Sequence, residues 1–108
     1  MRLSKTVLKN VAKVCGFAYL TQEHYKKDKW WDMGCGIGSD NGLLYELKAR
    51  LRKKGYMFLT KWDSLTHTHA WIAKIWPPHT CGYANSATSK HSELDALIRA
   101  IAQTEDGK

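Results

Sequence analysis

Two stretches rich in aromatic and β-branched residues, 56–62 and 68–76, constrain the fold more than any other feature of this sequence. Such residues favour strands, and the second stretch stops at a Pro-Pro pair, which has no backbone N–H to donate to a sheet. The link between the stretches, 63–67, is short enough for a hairpin. The sequence therefore predicts two antiparallel strands, and the segment 82–89 is the candidate for a third.

Three segments with apolar residues at helical spacing accompany this hairpin. The first covers 4–14, the second is capped by Ser39 or Asp40 and ends at Gly55, and the third begins at Ser92. This order predicts an α+β fold with two N-terminal helices, a two- to three-stranded antiparallel sheet, and a C-terminal helix packed on the sheet. On the outer face of the first helix, three lysines repeat every four residues: Lys5, Lys9 and Lys13.

The segment 17–38 has no steady hydrophobic period and is predicted to be an irregular, basic and aromatic loop. A chain of 108 residues supports one core, so we expect a single domain over 1–108 with this loop inside it. Long irregular segments in compact domains are usually functional or mobile, which directs attention to this one.

The chain is basic, with 17 Lys and Arg against 10 Asp and Glu and a net charge of +7. A basic surface attracts phosphate-bearing partners, although the same charge also serves solubility, and it argues against an acidic decoy such as a DNA mimic. The sequence has no apolar run long enough to span a membrane, and its charged first residues are followed by mixed polar residues, so we expect no signal peptide. We therefore expect a cytoplasmic protein whose cysteines, Cys15, Cys35 and Cys81, are reduced thiols.

The stretch 32–39, Asp-Met-Gly-Cys-Gly-Ile-Gly-Ser, is similar to the cofactor loop of S-adenosylmethionine-dependent methyltransferases. That loop should follow a buried apolar strand, but the residues before it, 26–31, are Lys-Lys-Asp-Lys-Trp-Trp. The later strands also predict a hairpin rather than the parallel sheet that holds such a cofactor. We expect no methyltransferase.

Metal and nucleophile chemistry have weak candidates. His67 with His69 and His79 with Cys81 are pairs two residues apart, which on strands would point the same way and could converge on zinc. No standard zinc finger has this spacing, and no Ser or Cys lies in a nucleophile motif. The sequence therefore predicts a protein that is not an enzyme and that holds neither a metal nor a cofactor.

Basic and aromatic residues alternate in 25–31, 56–62 and 71–76, a composition typical of surfaces that bind phosphate and stack on bases. From their strand positions, Trp62, Trp71 and Trp76 are expected to pack in the core. Trp30 and Trp31 are adjacent in an irregular segment and are expected to line a ligand site or a subunit interface.

Backbone N–H groups of 36–40, at the start of the second helix, are expected to cradle a phosphate. The ligand-binding residues predicted from the sequence are Lys27, Lys29, Trp30, Trp31, Gly36, Gly38 and Ser39. Small domains seldom enclose a ligand alone, so we also expect a homo-oligomer with the site at the interface.

The segments 41–55, 56–59, 71–73, 84–87 and 92–102 together resemble the phage ABA sandwich domain, a family of short tailed-phage proteins. The matching features are the Ser39-Asp40 cap, Trp71-x-Ala73 and the final helix. The family pattern contains no catalytic residue, so the resemblance assigns none to this chain. The resemblance also implies a virus-encoded accessory protein that acts in the bacterial cytoplasm.

Taken together, these features predict a phage-encoded, non-enzymatic counter-defence protein that sequesters a phosphate-bearing ligand of the nucleotide type. The alternative is an inhibitor that binds a host defence protein or nucleic acid through a basic helix face. The residues of that face are Lys48, Arg52 and Lys53.

Overall fold

A computed structural model of the chain describes residues 3–23, 29–64, 69–78 and 84–104. Within these residues the protein is α+β, with three helices and two three-stranded antiparallel sheets. The elements in chain order are α1 (Lys5–Cys15), β1 (Leu20–Glu23), β2 (Lys29–Asp32), β3 (Cys35–Gly38), α2 (Asp40–Lys53), β4 (Met57–Asp63), β5 (Ala70–Trp76), β6 (Asn85–Ser89) and α3 (Glu93–Ala102). We call the sheet β1-β2-β3 the N-terminal sheet and the sheet β4-β5-β6 the C-terminal sheet.

The predicted ends of α1 and the predicted start of α3 are confirmed by capping geometry, whereas Ser39 precedes α2 without a side-chain cap hydrogen bond. The Ser4 hydroxyl accepts the N–H of Val7 at 3.2 Å, and Gly16 ends α1 in the left-handed region at φ 78°. The Ser92 hydroxyl likewise accepts the N–H of Asp95 at 3.0 Å at the start of α3. The sequence therefore predicts where these two helices begin, because each capping hydroxyl binds an N–H only three residues further along the chain.

The predicted hairpin is β4 and β5, and the third strand, β6, pairs with the other edge of β5. Phe58, Ile75 and Asn85 align across the sheet on the face that packs against α3. Strand alternation sends Leu59 and Lys74 to the opposite face. The C-terminal helix thus packs on the sheet as predicted, and it covers one face only.

The prediction of an irregular loop over 17–38 is wrong, because β1, β2 and β3 form a second sheet there, between α1 and α2. The glycine-rich stretch is a hairpin turn: Asp32 pairs with Cys35, and Met33 and Gly34 have φ of 48° and 89°. Two positive φ values define the tight turn that suits the twist of antiparallel strands, so glycine here serves strand reversal.

The core gathers around α3, whose apolar residues are buried between the C-terminal sheet and α1. The fully buried side chains include Leu43, Leu47, Leu51, Ile75, Leu97, Ile98, Ile101 and Trp30. No helix within the described residues has the length and apolar composition needed to cross a membrane.

Two of the three tryptophans that we expected in the core lie elsewhere. Trp62 is 47% exposed at the end of β4, where its ring meets Trp71 edge to face with centroids 5.7 Å apart. Trp71 packs against the core as predicted. Trp76 is half-buried. It follows Ile75, which faces α3, so strand alternation places Trp76 and its partner Met57 on the face of the C-terminal sheet away from α3.

Candidate functional site

Trp30 does not line a ligand site, contrary to the sequence prediction. Its side chain is fully buried, and its indole N–H donates to the Asp40 carboxylate at 2.8 Å. The error lies in the secondary structure: neighbours on a strand point to opposite faces, so Trp30 can enter the core while Trp31 stays outside. This contact ties β2 to the first turn of α2.

Trp31 and Gly36 also contact each other rather than a vacant site. The Trp31 indole donates to the Glu23 carboxylate at 3.1 Å, and its ring lies where a Cβ on Gly36 would be 3.5 Å from it. Gly36 is paired with Trp31 in the ladder. A Cβ at that distance would be in ordinary van der Waals contact with the ring, so the space beside Gly36 is occupied by the indole without requiring a glycine there.

The start of α2 keeps part of the predicted phosphate cradle. Lys29 is exposed at the same end of the N-terminal sheet as Gly38, which pairs with Trp30, and Ser39 follows directly. Asp40, however, places a carboxylate in the first helical turn, where it already complements the helix dipole and would repel a phosphate. Lys27 lies outside the described residues.

The three residues of the basic face predicted on α2 have different surroundings in the structure. Lys48 forms an ion pair with Glu93 at 2.7 Å, the Arg52 guanidinium lies 5.3 Å from the centroid of the Phe58 ring, and Lys53 is exposed. Lys48 therefore joins α2 to α3 within the fold. A macromolecular footprint on this face has lost one of its three predicted cations.

Glu93 is held by more than its ion pair, because the Thr60 hydroxyl donates to the same carboxylate oxygen at 2.8 Å. Partial burial alone would raise the pKa of Glu93, but the hydrogen bonds from Lys48 and Thr60, with the charge of Lys48, hold that pKa below its ordinary value. A lowered folded-state pKa stabilises the protein above the unfolded pKa, and this stabilisation is lost as the pH falls through the folded value.

We expect Glu93→Gln to lower the free energy of unfolding at neutral pH, and the difference from the parent to shrink as the pH falls below the ordinary glutamate range. Urea denaturation at a series of pH values measures this. Glu46→Gln is the control, since its ion pair with Arg50 is more exposed and contributes less. A difference that stays constant down to strongly acidic pH would refute the linkage.

Two further cations, Arg50 in α2 and Lys54 directly after it, contact the end of α1. Lys54 donates to the Val14 carbonyl at 2.8 Å, and Arg50 donates to the Gly16 carbonyl at 2.9 Å. These carbonyls lie at the C-terminal end of a helix, where cations are favoured. Burial raises the pKa of the neighbouring Cys15 thiol to about 12, against the opposing charges of Lys54 and Arg50, so this cysteine is a packing residue at neutral pH.

The carboxylates of the described residues are all engaged within the fold. Their partners include the Trp30 and Trp31 indoles, the ion-paired Lys48, Arg50 and Arg99, and the backbone N–H groups of Ala18 and Tyr19 on Asp32. Several lysines form no ion pair among the described residues: Lys5, Lys9, Lys29, Lys53, Lys61, Lys74 and Lys90. Among the described residues, therefore, several lysines have no ion-pair partner, whereas every carboxylate has a partner.

A groove with a volume of about 1030 Å³ lies between α1 and the segment 17–22, and lysines line one side of it. One wall is the helix, which contributes Lys5, Lys9 and Lys13, spaced about 6 Å apart along its axis. The opposite wall carries Tyr19, which is 61% exposed. The groove thus combines a row of cations with an accessible aromatic ring, in the size range of small-molecule sites.

The same groove contains an unsatisfied amide. Both side-chain polar atoms of Gln22 are buried without a hydrogen-bond partner, and Gln22 lines the groove. It pairs with Trp30 across the ladder, and Trp30 is fully buried, so Gln22 lies on the core face of the N-terminal sheet. Buried amides are usually paired, and this one has both a donor and an acceptor to offer a ligand.

The sequence signal for the groove is the lysine repeat on α1, which by itself predicts only an outer helix face. The second wall of the groove lies in a segment that the sequence predicts to be a loop, so the sequence does not reveal the groove. A smaller hollow, of about 570 Å³, is lined by Arg50, Lys53 and Lys54, two of which are already bound to carbonyls of the fold.

The described residues contain no group of three or more His, Cys, Asp and Glu side chains that could hold a metal ion. His67, His79 and Cys81 lie outside the residues that the structure describes. Comparisons with protein-family models, with curated proteins and with solved structures find no match for this chain.

Proposed function

We propose that this protein is a non-enzymatic binding protein whose groove between α1 and 17–22 takes a phosphate-bearing ligand with a planar ring, of the nucleotide class. The observation that carries the proposal is the row of lysines Lys5, Lys9 and Lys13 opposite the exposed ring of Tyr19. The site differs from the one predicted at 27–39, but the ligand chemistry is the same.

The charge balance supports an anionic ligand. Lys5 and Lys9 have no carboxylate partner among the described residues, so a phosphate would meet ammonium groups that need not leave an existing ion pair. Hydrogen bonds from ammonium to phosphate oxygens are charge-assisted and stronger than neutral ones. A tri- or diphosphate, whose charges repeat along a chain, suits a row of cations better than a single phosphate does.

The Tyr19 ring and the Gln22 amide suit the base of a nucleotide ligand. The face of Tyr19 can stack on a base, and such stacking contributes about 1–3 kcal/mol. The Gln22 amide, buried and unpaired, has the donor and acceptor that the polar edge of a base requires. The resemblance to small phage proteins suggests a nucleotide immune signal as the natural ligand, sequestered as a counter-defence measure.

Calorimetric titration at low ionic strength tests the proposal, with inorganic phosphate, a nucleoside monophosphate, a nucleoside triphosphate and a cyclic dinucleotide as ligands. We expect heat from at least one nucleotide and an affinity at least ten times weaker in the K5E/K9E double variant, since a charge-assisted contact is worth about 1.5–3 kcal/mol. Tyr19→Ala should lower the affinity for nucleotides more than the affinity for inorganic phosphate. Tyr19→Phe, which keeps the ring, should bind nucleotides almost as tightly as the parent.

The matched control is K53E/K90E, which makes the same change in net charge at two exposed lysines outside the groove. It separates a local contact from a general loss of positive charge. Absence of heat with every ligand, or equal losses in K5E/K9E and K53E/K90E, would overturn the proposal.

A further inference from the structure

The C-terminal sheet has one face that no described element covers. Its other face packs against α3, and the helices α1 and α2 lie on that side or against the N-terminal sheet. Strand alternation assigns to the open face the residues that pair as Met57 with Trp76, Leu59 with Lys74, and Lys61 with Ile72. We call this the open sheet face.

The open sheet face is more apolar than a solvent-facing sheet usually is. Met57 is 70% exposed and Leu59 is 45% exposed, and the half-buried Ile72 and Trp76 lie beside them on the central strand β5. Antiparallel sheets with one wet face normally alternate apolar inside with polar outside. A contiguous exposed apolar surface of this kind indicates a binding surface.

The charges on the open sheet face are cationic. Lys74 lies directly opposite Leu59, and Lys61 lies directly opposite Ile72, so each cation has an apolar neighbour across the ladder. Neither lysine forms an ion pair among the described residues. The carboxylate on the same face, Asp63 at the end of β4, is already engaged within the fold.

The geometry points to single-stranded nucleic acid as the ligand of the open sheet face. Lys61 and Lys74 would contact backbone phosphates, while the Trp76 ring would stack on an unpaired base, with Met57 and Leu59 as further apolar contacts. Surfaces that combine cations with aromatic rings bind single strands in this way, without sequence preference. The exposed hydroxyl side chains of Ser86 and Thr88, on β6, extend the platform with polar groups.

Two other occupants, a second copy of the chain and a nucleic-acid duplex, fit the open sheet face less well. A second copy of the chain, packed face to face, would bring Lys61 and Lys74 of both copies together, and the described residues of the face supply no free carboxylate to offset them. A duplex hides the faces of its bases, so the apolar half of the surface would stay unused. An unpaired strand satisfies both the cations and the apolar surface.

Fluorescence anisotropy of a labelled, mixed-sequence single-stranded DNA of about 16 nucleotides tests this inference. We expect salt-dependent binding that is at least tenfold weaker in K61E/K74E than in the parent, and weaker for the matching duplex. Trp76→Ala should also weaken binding at least threefold, and Trp76→Phe should recover most of it. Circular dichroism and thermal unfolding establish that each variant is folded.

The control is K29E/K53E, which makes the same charge change at exposed lysines away from the open sheet face. Equal losses in K61E/K74E and K29E/K53E, tighter binding of the duplex, or no binding at low salt would each overturn the inference. Loss of oligonucleotide binding in K5E/K9E alone would overturn it while leaving the groove proposal intact. A parent that sediments as a dimer, and becomes monomeric in K61E/K74E or Leu59→Glu, would assign the face to a second copy instead.

Discussion

Replacing Trp30 with alanine is expected to lower the free energy of unfolding by about 3–5 kcal/mol, the usual cost of emptying the space of a large buried aromatic side chain. Trp30 is fully buried, and the substitution also removes the indole that satisfies the Asp40 carboxylate. Small domains are stable by only about 5–15 kcal/mol, so this variant should lie near the limit of folding.

Urea denaturation followed by circular dichroism measures the effect of the Trp30 substitution. Trp30→Phe, which keeps a ring but loses the hydrogen bond to Asp40, should remain folded and lose about 1–3 kcal/mol. Trp62→Ala is the control, because that side chain is 47% exposed and its removal leaves a smaller cavity. Equal losses for Trp30→Ala and Trp62→Ala would contradict the placement of β2.

The second large effect is expected at Asp95, whose replacement by alanine should cost about 2–4 kcal/mol. The carboxylate is 1% exposed, accepts the Ser89 hydroxyl, and accepts Arg99 Nε at 3.1 Å. It therefore joins the end of β6 to the first turns of α3. Its loss leaves a buried hydroxyl without its acceptor, which is the expensive part of the change.

A double-mutant cycle with Ser89→Ala isolates this interaction. Because the Ser89 hydroxyl donates to Asp95, the double variant should be more stable than the sum of the two single losses implies, by about 0.5–3 kcal/mol. Denaturation midpoints of the four proteins supply the measurement. Strict additivity would mean that Ser89 and Asp95 do not interact.

The helices and the C-terminal sheet were predictable because their signals are local. Ser4 and Gly16 mark the ends of α1 within a few residues, and the alternation in 71–76 marks a central strand. The N-terminal sheet was not predictable in the same way. Its strands are only four residues long, which is too short for a hydrophobic alternation to be recognised. The adjacent tryptophans also break any alternating pattern, so they suggest an irregular segment when the strand pairing is unknown.

The candidate site shows the same division between local and long-range information. The lysine repeat on α1 is visible in the sequence, but its pairing with Tyr19 depends on how the segment 17–22 returns along the helix. The use of Arg50 and Lys54 on the carbonyls of α1, more than 30 residues away, is also a tertiary contact. The sequence does not reveal these contacts, because the end of α1 approaches Arg50 and Lys54 only in the folded chain.

The most direct test of the groove is a nuclear magnetic resonance titration of isotope-labelled protein with a nucleoside triphosphate. We expect the amide signals of 5–13 and 17–22, with the Gln22 side-chain amide, to shift together in a saturable way. Shifts confined to the start of α2 at 38–40, or to the α2 face of Lys48, Arg52 and Lys53, would contradict it. So would a titration in which no signal moves.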